Sequence, residues 1–191
     1  MGSLSSSAWT IDQDGWLQAA THLPSPNHEA RTEAVALIVL HNISLPPFEY
    51  QRQGPQQLFC NVLDPDAHPF YGLIHTLRVS SHLLIERSGA VTQLVSFANK
   101  AYHAGASTFQ GRASCNDFSI GIELEGCDFE PFEAAQYEAL LPVLAALCHH
   151  YEIRAITGHE DIAPDRKTDP GHFFDWVKLQ QAGLPIVREK A

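Results

Sequence analysis

The sequence is poor in basic residues. It has 12 lysines and arginines against 22 aspartates and glutamates, so its formal net charge is −10. So few cations cannot form a large basic face, and this argues against a nucleic-acid partner or an anionic membrane surface. Long apolar runs are also missing. The longest, at residues 34–40, is far too short to span a bilayer.

Cysteine is scarce, and its spacing matches no known framework. The residues Cys60, Cys115, Cys127 and Cys148 include no Cys-x-x-Cys pair, which excludes zinc-ribbon and thioredoxin-like motifs. A chain of 191 residues can bury a sufficient core without cross-links, so we expect reduced thiols. No cationic start followed by an apolar run opens the sequence, as a secretory signal would. We therefore expect a cytoplasmic protein without a membrane anchor.

Histidine, by contrast, is abundant. The 11 histidines direct attention to metal binding or acid–base chemistry. Hydrophobic residues make up 45% of the chain and charged residues 18%, as in an ordinary globular protein. The length predicts one domain. We place it at 16–185, between a flexible N-terminal segment at 1–15 and a C-terminal tail at 186–191.

The pattern of apolar and turn-forming residues alternates strands with helices. It predicts a buried strand at 34–40, a short helix near 56–62, a hairpin at 81–96, a strand at 119–125, a long helix at 133–151, a short strand at 154–157 and a final helix at 173–181. Pro142 should kink the long helix or mark a first turn. Hairpins mixed with long crossovers predict an α/β fold, with a mixed central sheet flanked by helices.

Candidate functional residues lie at predicted strand ends, where sites form in open sheets of this kind. His41 and His159 each follow a strand, and Asp169 lies in the polar loop after His159. Two imidazoles and one carboxylate suit zinc and leave a fourth position for water. Alternatively, the two histidines are strand-end residues bonded to backbone. Spacing alone leaves both interpretations open.

Three blocks of sequence carry a resemblance to a known family. They are Val-Leu-His-Asn-Ile-Ser-Leu-Pro-Pro at 39–47, Cys-Asn-Asp-Phe-Ser-Ile-Gly-Ile-Glu-Leu-Glu-Gly at 115–126, and Gly-His at 158–159 followed by Lys-Thr-Asp-Pro-Gly at 167–171. Over about 16–176, the sequence resembles the AmpD-type zinc amidases, cytoplasmic 1,6-anhydro-N-acetylmuramoyl-L-alanine amidases of bacterial cell-wall recycling. The resemblance implies the zinc amidase or peptidoglycan-recognition-like fold and Zn²⁺ as cofactor. It also implies an anhydro-muropeptide substrate, cleaved between its lactyl group and L-alanine.

The resemblance also implies roles for five residues. His41, His159 and Asp169 would bind zinc, and Glu123 and Lys167 would form the catalytic pair. Glu123 could move a proton, and Lys167 could stabilise negative charge on the amide oxygen. Without the resemblance, Glu123 is a solvent-facing strand carboxylate and Lys167 a solvated loop charge. Glu125 has the same strand parity as Glu123 and is the obvious competitor for its role.

Substrate contacts are also expected from the resemblance. Asn42 and Arg78 match positions that anchor peptide or sugar, and Asn116 lies in the second block. His103 either lines the pocket or makes a structural hydrogen bond. Ser114 stands where the family often has an arginine, and Arg112 is a candidate to replace it.

Other functional classes remain open on the sequence. A secreted amidase acting on intact peptidoglycan is one, and a non-catalytic peptidoglycan-binding module is another. The presence of all five site residues argues against a pure binding module. A cysteine hydrolase built on Cys127 has no support beyond its closeness to Glu125 and Gly126. We expect a monomer.

Overall fold

A computed structural model describes residues 9–188. Its strands are β1 Thr21–His22, β2 His28–Ala30, β3 Leu37–Ile43, β4 Leu83–Ile85, β5 Val91–Gln93, β6 Asn99–Ala101, β7 Thr108–Phe109, β8 Arg112–Ala113, β9 Ser119–Glu125 and β10 Ala155–Gly158. Its α-helices are α1 Gly54–Phe59, α2 Pro69–Ile74, α3 Ala134–His150, α4 His159–Ile162 and α5 Trp176–Gln181. The predicted α/β fold with a mixed central sheet is confirmed.

The central sheet has six strands in the order β1-β5-β4-β9-β3-β10. The strands β4, β9, β3 and β10 run parallel to one another, whereas β5 is antiparallel to β4. Parallel strands are buried on both faces and read as continuous apolar runs, which explains the β-branched character of β3. The pairs β2–β6 and β7–β8 form two small separate sheets.

The main hydrophobic core lies between one face of the sheet and α3. Ile38 and Leu40 of β3, with Ile120, Ile122 and Leu124 of β9, are fully buried there. The helix contributes Leu140, Val143, Leu144 and Leu147 to the same cluster. Pro142 lies inside α3, well past its first turn.

The opposite face of the sheet is covered by two smaller apolar clusters. One contains Leu37 and Val39 of β3 with Phe109, Cys115 and Phe118. The other contains Leu84 of β4 with residues of α1 and α2. His41 and Glu123, both buried, belong to neither cluster.

Most predicted elements occur, with shifted ends. The strand expected at 34–40 occupies Leu37–Ile43 because pairing with β9 begins at Leu37 and Ser119. The hairpin turns at Gly89, whose φ of 84° is a left-handed conformation that glycine adopts readily. The two- and three-residue strands at 21–30, 99–101 and 108–113 escaped prediction because such short segments carry no periodicity.

The two ends of the described chain contact the domain. Trp9 and Ile11 pack against the main core, within the segment expected to be flexible. Ile186 forms a bridge with Ile156, within the expected tail. Residues 1–8 and 189–191 lie outside the described residues, and the boundaries at 16 and 185 stay predictions. No disulfide joins the four cysteines. None of the helices in 9–188 has the length and apolar character needed to cross a bilayer.

Candidate active site

Strand register places three of the predicted residues in one row across the sheet. His41 of β3 is the direct neighbour of Glu123 on β9. On the other side, Gly158 of β10 pairs with Leu40, so His159 follows at the level of His41. Parallel strands in register bring their ends to one edge of the sheet. Residues distant in sequence thus meet at a single position.

His41, His159 and Asp169 converge there on a small triangle of atoms. The Nδ1 atoms of His41 and His159 are 2.9 Å apart, and each lies 3.0 Å from Oδ2 of Asp169. A single ion can lie within about 2.0–2.2 Å of all three, the distances that zinc makes to imidazole and carboxylate. The three side chains therefore form a candidate metal site.

The protonation of this triangle suits a cation. Burial, with the neighbouring His159, lowers the pKa of His41 to about 4, so its imidazole is neutral at pH 7. Burial alone would raise the pKa of Asp169, but its close contacts with His159 and His41 hold this pKa well below its usual value. A carboxylate at Asp169 and a neutral imidazole at His41 are protonation states that metal ligation requires.

The loop that carries Asp169 is braced on both sides. The backbone N–H of Glu160 donates to the carbonyl of Asp169 at 2.9 Å. The amide of Asn42 donates to Oδ1 of Asp128 at 2.6 Å and to the carbonyl of Pro170 at 3.2 Å. These bonds fix Asp169 relative to α4 and β3, the elements that carry the two histidines.

Glu123 is a buried carboxyl group beside the triangle. Among the described residues its Oε2 has no hydrogen-bond partner. Burial, with the negative charge of Asp169, raises its pKa well above the usual value, and Lys167 acts in the opposite direction. A divalent cation in the triangle would also lower this pKa. Glu123 is thus poised to exchange a proton.

Glu125 has a different environment from Glu123. Its Oε1 accepts from the backbone N–H of Gln51, and its Oε2 accepts from that of Arg87 at 3.0 Å. Both oxygens of Glu125 are therefore engaged in bonds that hold two loops. This difference separates two carboxylates that strand parity cannot distinguish.

Lys167 lies in the turn before Asp169. Its backbone N–H donates to the carbonyl of Ala163 at 2.9 Å. Its charge reaches both His41 and Glu123, since it lowers the pKa of each. Within residues 9–188, its ammonium group makes no recorded ion pair.

The residues expected to contact substrate lie in varied settings. Arg78 is exposed, and among the described residues its guanidinium donates only to nearby backbone carbonyls. Arg112 pairs with Glu33 and stacks on the Phe118 ring, 3.7 Å from its centroid. In the described chain, neither arginine forms a hydrogen bond or ion pair with the triangle.

His103 contacts the candidate ligand His41, and Asn116 binds the backbone of His103. His103 Nδ1 lies 2.9 Å from Nε2 of His41. Oδ1 of Asn116 accepts the backbone N–H groups of His103 and Ala104, at 3.1 and 2.8 Å.

Sequence reasoning missed two acidic residues that organise the site. Oδ2 of Asp161 accepts from the backbone N–H of Gly158 and from the Thr157 hydroxyl, both at 2.9 Å. An acidic residue three positions after the N-cap Gly158 of α4 is a capping pattern that could have been noticed. Asp128 accepts from Asn42 and Thr168, and no local pattern in the sequence indicates this role.

The sequence is similar to those of known amidases. Residues 31–172 match the N-acetylmuramoyl-L-alanine amidase family. The 1,6-anhydro-N-acetylmuramyl-L-alanine amidase AmpD of Enterobacter cloacae is 53% identical over 171 residues, covering 87% of this chain and 91% of the relative. The AmpD of Escherichia coli K12 is 50% identical over 172 residues, covering 88% and 94%.

Solved structures of amidases are also similar to this chain. A crystal structure of a selenomethionine AmpD derivative superposes with a TM-score of 0.87 at 48% identity, covering 90% of this chain and 98% of that one. The Escherichia coli amidase AmiD, solved with anhydro-N-acetylmuramic acid-L-Ala-D-gamma-Glu-L-Lys, gives 0.59 at 28% identity, covering 92% and 66%. Drosophila peptidoglycan recognition protein SA, at 15% identity and a TM-score of 0.57, shares the fold.

The chain therefore belongs to the N-acetylmuramoyl-L-alanine amidase family. The family, the fold class and the assignment to amidases, all predicted from the sequence, are confirmed.

Proposed function

We propose that the chain is a zinc amidase that cleaves anhydro-muropeptides during cytoplasmic recycling of the cell wall. The bond hydrolysed is the amide between the lactyl group of 1,6-anhydro-N-acetylmuramic acid and L-alanine. The main support for this proposal is the triangle of His41, His159 and Asp169 beside the buried carboxyl of Glu123. The AmpD relatives and the substrate bound in the AmiD structure support this choice of substrate.

His41, His159 and Asp169 would hold the metal. Zinc, when bound, supplies a Lewis acid and lowers the pKa of water to about 7. Glu123 takes a proton from the attacking water and returns it to the leaving amine of L-alanine. Its burial keeps bulk water from competing for that proton.

Lys167 donates to the carbonyl oxygen of the scissile amide as negative charge develops there. Such a donor contributes most in the transition state, where that charge is largest. Its electrostatic effect on Glu123 supports this role, as does the absence of an ion pair to its ammonium group within residues 9–188.

The substrate is anionic, whereas the protein carries a net charge of −10. Local cations must therefore bind the peptide carboxylates. Arg78, exposed and not paired with an acid in the described chain, is the favoured anchor, and Arg112 is the second, partly engaged by Glu33. Asn42, braced by Asp128, would present its remaining polar surface to the sugar or peptide.

The proposal is tested by metal analysis and turnover on the same sample. We expect about one zinc per chain and release of the peptide from a purified anhydro-muropeptide. Chelator treatment should abolish turnover, and added zinc should restore it. His41→Ala should lose both the metal and activity. A metal-free protein with full activity, or a zinc protein that binds the muropeptide without cleaving it, would overturn the proposal.

A further inference from the structure

Both candidate ligand histidines direct their outer ring nitrogens to the same dipeptide. Nε2 of His41 lies 2.9 Å from Nδ1 of His103, and Nε2 of His159 lies 3.2 Å from the carbonyl oxygen of Ala104. Metal-ligating histidines donate their second ring N–H to such acceptors, and this fixes the tautomer and orientation of the ring. His103 and Ala104 are thus placed to orient both imidazoles.

A chain of hydrogen bonds defines which nitrogen of His41 carries the proton. The Ser119 hydroxyl is 2.6 Å from the carbonyl of Cys115, which can only accept, so the hydroxyl donates. The Ser119 oxygen then accepts from Nε2–H of His103 at 3.1 Å. In that tautomer Nδ1 of His103 is an acceptor, so Nε2 of His41 is the donor. The lone pair of His41 Nδ1 consequently faces His159 and Asp169.

The dipeptide is itself held in place by three groups. Asn116 accepts both of its backbone N–H groups. Arg166 donates to the carbonyl of Ala104 at 2.9 Å. Gly121 leaves room for the His103 ring, since a Cβ at that position would lie 2.4 Å from His103 Cγ. These contacts fix the position of His103 within the surrounding fold.

We propose that His103 is a positioning residue, which presets the metal-binding tautomer of His41 through Ser119, and that Asn116 holds it there. This inference rests on the proposed zinc function. It gives His103 and Asn116 a role in metal affinity in place of the substrate contact expected from the sequence. Loss of an outer-sphere partner of this kind weakens metal binding by about 10–100-fold.

The test is the zinc dissociation constant of the full-length protein, measured by competition with a chromophoric chelator. His103→Ala should raise this constant by about 10–100-fold. His103→Asn should restore most of the affinity, because its amide oxygen can replace Nδ1 as an acceptor. Ser119→Ala should also weaken binding, although Ser119 contacts neither ligand histidine in any recorded bond. The visible spectrum of the Co²⁺-substituted variants should shift with the affinity.

Ser96→Ala is the matched control. Ser96 is also buried, and its hydroxyl donates to a carbonyl and accepts from an N–H, but in the loop around Asp14 and Ala98. This variant should bind zinc like the wild type. If His103→Ala does not fold by circular dichroism, Ser119→Ala and His103→Asn decide the question.

The outcomes distinguish this inference from the proposed function. Wild-type protein that binds zinc and turns over, with unchanged zinc affinity in His103→Ala and Ser119→Ala, would overturn the inference alone. An equal loss of zinc affinity in Ser96→Ala would also overturn this inference. Wild-type protein that binds no zinc would overturn both.

Discussion

Glu123 and Glu125 lie two residues apart on one face of β9, yet their environments differ. One oxygen of Glu123 is buried without a partner among the described residues, whereas both oxygens of Glu125 bind loop N–H groups. A buried polar group that lacks a partner costs free energy, and such groups are found at functional sites. We therefore expect catalysis to depend on Glu123. We expect the positions of the two loops to depend on Glu125.

Replacing these two carboxylates should have separable effects. Glu123→Ala should keep zinc and lower kcat by about 10² or more, as expected for loss of a positioned general base. Glu125→Ala should mainly lower the free energy of unfolding, because two backbone N–H groups lose their acceptor. Kinetics, zinc content and urea unfolding of both variants check this. Loss of zinc in Glu123→Ala, or a larger fall in kcat for Glu125→Ala, would contradict the assignment.

The role of Lys167 can also be tested by kinetics. If it stabilises charge that develops on the amide oxygen, Lys167→Ala should lower kcat by about 10²–10³ with little change in KM. Lys167→Arg should recover only part of the activity, because the guanidinium is planar and wider than an ammonium. Zinc content is measured on the same samples. A near-normal kcat with full zinc would return Lys167 to the role of a solvated loop charge.

At the scale of elements, β10 and α4 are joined by Asp161. This buried carboxylate accepts from Thr157 and Gly158 and from Nε of Arg188 at 2.6 Å. The Arg188 guanidinium also pairs with Glu160 and stacks over Trp176, 4.3 Å from the ring centroid. The chain after α5 thereby holds the turn that carries His159.

Arg188→Ala should destabilise the fold. It leaves the buried Asp161 without its cation, and a hydrogen bond to a charged group contributes about 1.5–3 kcal/mol. Lys178→Ala is the control, since its pair with Asp175 is exposed and should contribute at most about 1 kcal/mol. Urea unfolding measures both. Equal losses of unfolding free energy in the two variants would show that Arg188 is only a surface charge.

At the scale of the whole molecule, acid should destabilise the metal-free protein through buried histidines. Burial and the Arg31 guanidinium lower the pKa of His82 to about 3, and burial lowers that of His41 to about 4. Between pH 6.5 and these values, the unfolded chain binds protons that the folded chain does not. Stability therefore falls as the pH drops through this window.

Each such histidine contributes a slope of at most about 1.4 kcal/mol per pH unit. His82→Asn should lower stability at pH 7 but flatten its dependence between pH 6.5 and 4. The check is urea unfolding of chelator-treated protein across this range. An unchanged slope in the variant would show that His82 does not titrate on unfolding.

Several features followed from the sequence alone, because they depend on neighbouring residues. Apolar patterning predicted the strand at Ser119–Glu125, and turn-forming residues predicted the hairpin at 81–96. The ordered blocks around His41, Glu123 and Asp169 identified the family before any contact was known. Local periodicity and turn chemistry suffice for the strand and the hairpin, whereas the family was implied by the resemblance of these blocks.

Only the tertiary structure decided how these pieces meet. The register of β9, β3 and β10 aligned His41, Glu123 and His159, residues up to 118 positions apart. It also separated Glu123 from Glu125, through loops that strand parity does not describe. The contact of His103 with His41 spans 62 positions. Such pairings depend on which strands become neighbours and on the space that surrounding side chains leave, and neither property is encoded within a short stretch of residues.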